Sequence, residues 1–129
     1  MSGTERAKAL VREVPHLDCY ETSAMLGGAP TPHFLRLLRA QGKLLGIRYA
    51  RVGYLYPLFQ FDEHARRIHP CVATTNQVLL ASIGLSAALQ WWFDEAIDDA
   101  PAHTLVGTPD QRLVIETARC QAFSGVRSA

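Results

Sequence analysis

At 129 residues the chain can hold one ordinary domain or two very small ones sharing a core, which excludes an elaborate multi-domain enzyme. Hydrophobic residues at 48% and charged residues at 19% argue against extensive disorder, and no apolar stretch approaches the roughly 20 residues that cross a bilayer. The net charge of +1 hides an uneven spread: residues 1–70 carry ten Lys/Arg against six Asp/Glu and residues 71–129 three against six, so a polyanion is expected at the first half.

Residues 2–12 lack the apolar core of a signal peptide, and the expectation is a soluble, cytoplasmic protein opening with a frayed or short helical lead-in that ends at Pro15. Asp18 can N-cap a short helix through Leu26, with Met25 and Leu26 turned inward and Gly27-Gly28 as its stop. Thr31 can cap a second helix whose first position is Pro32, where the missing N–H costs nothing. Phe34, Leu35, Leu37 and Leu38 would form its apolar stripe, while His33, Arg36 and Arg39 recur at three-residue spacing on a neighbouring face. Gln41-Gly42 ends it. Residues 44–49 and 54–57, with β-branched and aromatic side chains, are predicted to pair as a hairpin across Ala50-Arg51-Val52-Gly53.

Helix, glycine turn, helix and basic hairpin is the order of a winged helix-turn-helix, whose second helix enters the major groove while the wing touches backbone. Between Thr22 and Phe61 there is no acidic residue, which concentrates positive charge on this unit. The candidate DNA contacts are Thr31, His33, Arg36, Arg39, Lys43, Arg48 and Arg51. Of these, Arg36 and Arg39 suit base edges in the groove; Lys43, Arg48 and Arg51 suit phosphates. The plainer alternative is a solvated charged face.

Residues 58–70, with Phe59-Gln60-Phe61-Asp62 and Ile68-His69-Pro70, read as a connector with aromatic anchors. Pro70 can open a helix through Ile83, buried through Val72, Val78, Leu79 and Ile83 and stopped by Gly84. Ser86 would cap another helix to about Ile97, and residues 94–101 form an acidic loop. Thr108 as N-cap, Pro109 at the first position and Asp110 near the positive end of the dipole predict a last helix, with Leu113, Val114, Ile115 and Ala118 in the core. Trp91 and Trp92 lie about 100° apart on a helix, so one is expected in the core and the other as an anchor for a partner; the alternative buries both between helices.

In this order, three pieces resemble the antitoxins that carry an Xre/MbcA/ParS-type toxin-binding domain. Gly42-Lys43-Leu44, Gly53 and Tyr56-Pro57 are similar to the wing of MerR- and excisionase-like proteins. Residues 57–62 with Ile68-His69-Pro70 look like the family's connector. Trp91-Trp92, Leu105, Gly107-Thr108-Pro109 and Leu113 are similar to its toxin-binding helix–loop–helix. The resemblance implies a mainly α fold, with a winged helix-turn-helix and small β-hairpin in residues 1–62 and a helical toxin-binding bundle in residues 63–129. It implies a cognate toxin, often of the RES class that destroys NAD, occluded through Trp91, Trp92, Leu105, Gly107, Thr108 and Pro109. It also implies repression of the shared operon, as a homodimer or a hetero-oligomer with the toxin. Two segments depart from the pattern: Thr31-Pro32-His33-Phe34 at the start of the recognition helix, and the acidic run of residues 94–99.

A stand-alone MerR- or excisionase-like regulator without a toxin is the alternative, and a small enzyme a third class. No catalytic residue, cofactor or metal is assigned. His64, His69 and Cys71 are the closest ligand types and no fourth lies nearby. Ser86 with His103 has no motif that marks a nucleophile and base. Cys19, Cys71 and Cys120 are far apart and expected to be reduced and partly buried.

Overall fold

A computed structural model describes residues 2–27 and 32–128; across them the fold is mainly α, with helices on both faces of a small antiparallel sheet. The first helix, α1 (Gly3–Glu13), is not the frayed lead-in expected of it. Ser2 Oγ accepts a hydrogen bond from Glu5 N at 3.2 Å and caps the helix, and Ala7 and Val11, one turn apart, are fully buried. That apolar stripe is narrow enough to read as polar overall, which is why the sequence alone undersells it.

The sheet combines β1 (His16–Leu17), β2 (Ile47–Tyr49) and β3 (Gly53–Pro57) in the order β1-β3-β2. Leu17 lies opposite Tyr56, Arg48 opposite Tyr54 and Ile47 opposite Leu55. Because strand side chains alternate, Ile47, Tyr49 and Leu55 turn to one face and join the larger core with α1, while Tyr54 and Tyr56 turn to the other. That second face is covered by α2 (Cys19–Met25) and α3 (Pro32–Ala40). The α2 start is a full capping box: Asp18 accepts from Glu21 N at 2.8 Å and Glu21 accepts from Asp18 N at 3.0 Å. At the α3 end, Gly42 sits at φ +75°, with Gly42 N bonded to Arg39 O and Lys43 N to Leu38 O, so the glycine supplies the left-handed turn that ends the helix.

Beyond the sheet, a 3-10 turn over residues 58–60 leads into the two-residue strands β4 (Phe61–Asp62) and β5 (Arg67–Ile68). The next helix, α4 (Pro70–Asp94), is broken at Gly84, whose φ of +82° and ψ of 175° are non-helical. Pro70 and Gly84 therefore bound the first segment as expected. By length and composition α4 is apolar enough to cross a bilayer, contrary to the expectation that no stretch comes near it. The break leaves segments 70–83 and 85–94, and neither reaches the roughly 20 residues a spanning helix needs. The second segment stops at Asp94 rather than Ile97, because residues 96–97 and 100–101 pair as the hairpin β6 (Ala96–Ile97) and β7 (Ala100–Pro101). Asp98 and Asp99, at φ 52° and 65°, form its turn. The last helix, α5 (Arg112–Ser128), begins three residues after Pro109. Thr108 does not cap it: its Oγ1 accepts from Asp110 N at 3.2 Å inside a local turn, and residues 109–111 are still turn before the helix starts.

The boundary expected between residues 62 and 63 does not divide two cores. One cluster joins Val11, Leu45 and Leu55 to Val72, Leu79 and Val114. A buried polar chain crosses the same boundary: Gln60 Oε1 accepts from Leu45 N at 2.8 Å, its Nε2 donates to Leu45 O at 2.9 Å, and Asn76 Nδ2 donates to Gln60 Oε1 at 3.2 Å. Trp92 Nε1 then donates to Asn76 Oδ1 at 2.9 Å.

A candidate nucleic-acid interface

The outward face of α3 carries the first part of the site. Leu35 is buried and Leu38 half-buried, which turns His33, Arg36 and Leu37 to solvent. Phe34 and Leu37 thus leave the apolar stripe expected of them, since a helix resting on so small a sheet buries only one narrow side. Leu37 stays 45% exposed beside Arg36, which places an apolar contact next to a charged one on the face available to a partner. Thr31 lies outside the described residues.

Arg39 departs from the expectation of a free groove contact. Its guanidinium lies 3.8 Å from the centre of the Tyr54 ring and donates a hydrogen bond to Tyr56 Oη. Burial pushes the Tyr56 hydroxyl up to about 12, so it meets the guanidinium as a neutral acceptor. The two tyrosines stack with ring centroids 6.2 Å apart. Arg39 therefore fastens α3 to the hairpin and fixes the relative position of the helix and the strand pair.

The hairpin supplies the second part. Arg48 is exposed and is the cross-strand partner of Tyr54, so it shares the sheet face on which Arg39 stacks. Arg51 and Val52 are exposed at the hairpin tip, and Gly53, at φ +88°, makes the turn. Lys43 is exposed just beyond α3, its carbonyl accepting from Asn76 Nδ2 at 3.0 Å. Helix and hairpin thus present Arg36, Arg39 and Arg48 on one side of the sheet, with Arg51 at its end. Tyr54 and Tyr56 were expected on a strand, but their role as the seat of Arg39 was not; their i, i+2 spacing on that strand was the available signal.

The residues expected to hold a partner separate. Trp92 is fully buried, packs on Phe59 with centroids 4.8 Å apart, and spends its N–H on Asn76; Trp91 is 6% exposed and meets Trp92 edge-on at 5.4 Å. Neither serves as a surface anchor. The correction follows from the surroundings of α4, which is packed by α1, α5 and residues 102–105, so its second segment buries more than one stripe. Leu105 packs half-buried on the core and Thr108 bonds Leu105 O at 2.7 Å, while Gly107 and Pro109 lie on the surface.

Ser86 and His103 are not a pair: Ser86 Oγ lies 3.2 Å from Thr4 Oγ1, and His103 Nδ1 lies 3.2 Å from Trp92 O. Among the described residues no group of three or more His, Cys, Asp or Glu is placed to hold a metal. Cys71 is buried and Cys19 half-buried, whereas Cys120 is exposed, against the expectation for it. Compared with known proteins, the chain matches no family model, no curated protein and no solved structure.

Proposed function

We propose that the protein is a DNA-binding regulator of the winged helix-turn-helix kind, in which α3 enters the major groove and the hairpin β2–β3 follows the backbone. One observation carries this reading: the solvent face of α3 and the exposed Arg48 lie on one side of the sheet and are locked together by Arg39 on Tyr54 and Tyr56. A rigid link between a helix and a basic hairpin is what simultaneous groove and phosphate contact requires. In this reading Arg36 reads base edges, His33 and Leu37 flank it, and Lys43, Arg48 and Arg51 hold phosphates.

The test is selection from a random duplex pool, followed by fluorescence anisotropy on the enriched sequence at several salt concentrations. Affinity should fall steeply with salt, because each neutralised phosphate releases counterions. Arg36→Ala should relax sequence preference, costing about 1–3 kcal/mol on the selected site, whereas Arg51→Ala should weaken all duplexes alike. Absence of duplex binding at low salt defeats the proposal.

A toxin-neutralising role is the second reading. With both tryptophans enclosed, it rests on the exposed Gly107–Pro109 turn and on the acidic balance of residues 71–129. It predicts that co-expression rescues cells from a toxin encoded beside this gene, and that a Pro109→Arg change abolishes the rescue while sparing DNA binding.

A further inference from the structure

A second site opens on the opposite flank of α3. Phe34 and Leu38, at i and i+4, form one wall of a cleft of about 240 Å³, and the β4–β5 hairpin with Ile68 forms the other. Lys43, Arg66 and Arg67 line it as well, and among the described residues no carboxylate does. Arg36 points away from this flank, since residues two apart on a helix lie about 200° apart and Arg36 is two from both Phe34 and Leu38.

The cationic rim is held in place. Asp62 Oδ1 accepts from Ala65 N at 3.1 Å and tightens the β4–β5 turn, and that N–H bond draws the Asp62 carboxyl below its usual range, with His69 and Arg67 adding to the effect. Arg66 occupies the left-handed region at φ 55°, a position glycine or asparagine takes more readily. From there its Nη2 reaches across to donate to Ala24 O at 3.1 Å, which ties the β4–β5 turn to the end of α2. Three basic residues thus stand around an apolar floor made by Phe34, Leu38 and Ile68.

We propose that this cleft binds a small amphipathic carboxylate, its apolar tail against Phe34, Leu38 and Ile68 and its charge among Lys43, Arg66 and Arg67. Inorganic phosphate is a poor fit, because an ion that needs donors on every side gains nothing from an apolar floor. A neutral chain of the same length gains nothing from the three cations that line the cleft. The volume lies below the range of drug-sized pockets and suits a short-chain acid.

Octanoate, octanol and inorganic phosphate titrated separately into the full chain, followed by methyl NMR, decide the matter. Octanoate should shift the Leu38 and Ile68 methyl signals saturably, and the other two probes should bind about tenfold more weakly or worse. The double variant K43Q/R67Q should weaken octanoate by about tenfold with an unchanged melting temperature, while Lys43→Arg should retain binding and His33→Gln should have no effect. Equal binding of octanol, equal binding of phosphate, or octanoate binding that ignores K43Q/R67Q would overturn the proposal. Octanoate binding does not depend on the DNA-binding reading, so a chain that takes octanoate and no duplex loses only that reading.

Discussion

Tyr56 sits where it does because residue 46 has no side chain. A Cβ at Gly46 would lie 2.4 Å from Tyr56 Cε1 and 2.5 Å from Cδ1, and the ring is fully buried with its hydroxyl engaged by Arg39. Neither partner has room to give, so Gly46→Ala should destabilise the fold by about 1–3 kcal/mol, the usual cost of overpacking a closed core. Urea denaturation reads this directly, and an unchanged midpoint would show that the ring can move. Nothing in Leu44-Leu45-Gly46-Ile47 announces the requirement, because it is imposed by a residue ten positions on. Asp18, Gly42 and Pro70 were legible for the opposite reason: a cap or a helix stop is decided by its own backbone.

His103 brings a pH dependence at the same scale. Burial lowers its pKa from the ordinary 6.5, opposed by the bond of its Nδ1 to Trp92 O, and the ring lies against Phe93 with centroids 4.5 Å apart. The folded state therefore prefers the neutral imidazole. As pH falls through 6.5 the unfolded chain takes up the proton first, so this contribution to stability is complete above 6.5 and is lost toward the lower folded pKa. Wild type should lose melting temperature between pH 7.5 and pH 5.5 by more than His103→Phe does. Parallel pH profiles for the two proteins would show that the ring protonates equally easily in both states.

Among the elements, α4 depends most on a single backbone angle. At φ +82° and ψ 175° Gly84 occupies a region open essentially to glycine, and a Cβ there would meet nothing within 4 Å. The cost of Gly84→Ala is therefore conformational rather than steric, about 1–3 kcal/mol, and thermal unfolding should report it. If the variant is as stable as the wild type, the two segments of α4 can be joined as one continuous helix. The break itself was legible from glycine after an apolar run. The burial of both tryptophans stood only as an alternative, because periodicity counts stripes and cannot tell how many neighbours a helix acquires. The exposure of Phe34 and Leu37 on α3 escaped for the mirror-image reason: four apolar residues imply a wide buried face, and the small sheet covers only part of it.

Across the whole molecule, the expected halves are bound by more than apolar packing. Gln60 and Asn76 are both fully buried and hydrogen-bonded to each other, to the backbone at Lys43 and Leu45, and to Trp92. A sequence reading has no means of finding such a chain, since polar residues in an aromatic connector and in an apolar helix look like surface. Without residues 1–62, Asn76 loses Gln60 and the carbonyl of Lys43, and Trp92 loses Phe59. The α1 side of α4 is bared as well. Each buried polar group left unpaired costs about 1–3 kcal/mol, and only some 5–15 kcal/mol separates a whole domain from its unfolded state. Residues 63–129 expressed alone should therefore give a poorly dispersed amide NMR spectrum, and adding residues 1–62 as a separate chain should restore dispersion. A fragment that folds by itself would mean that α4 and α5 form an independent domain, that the polar chain is a docking contact, and that any partner of the C-terminal helices can be studied without the front of the molecule.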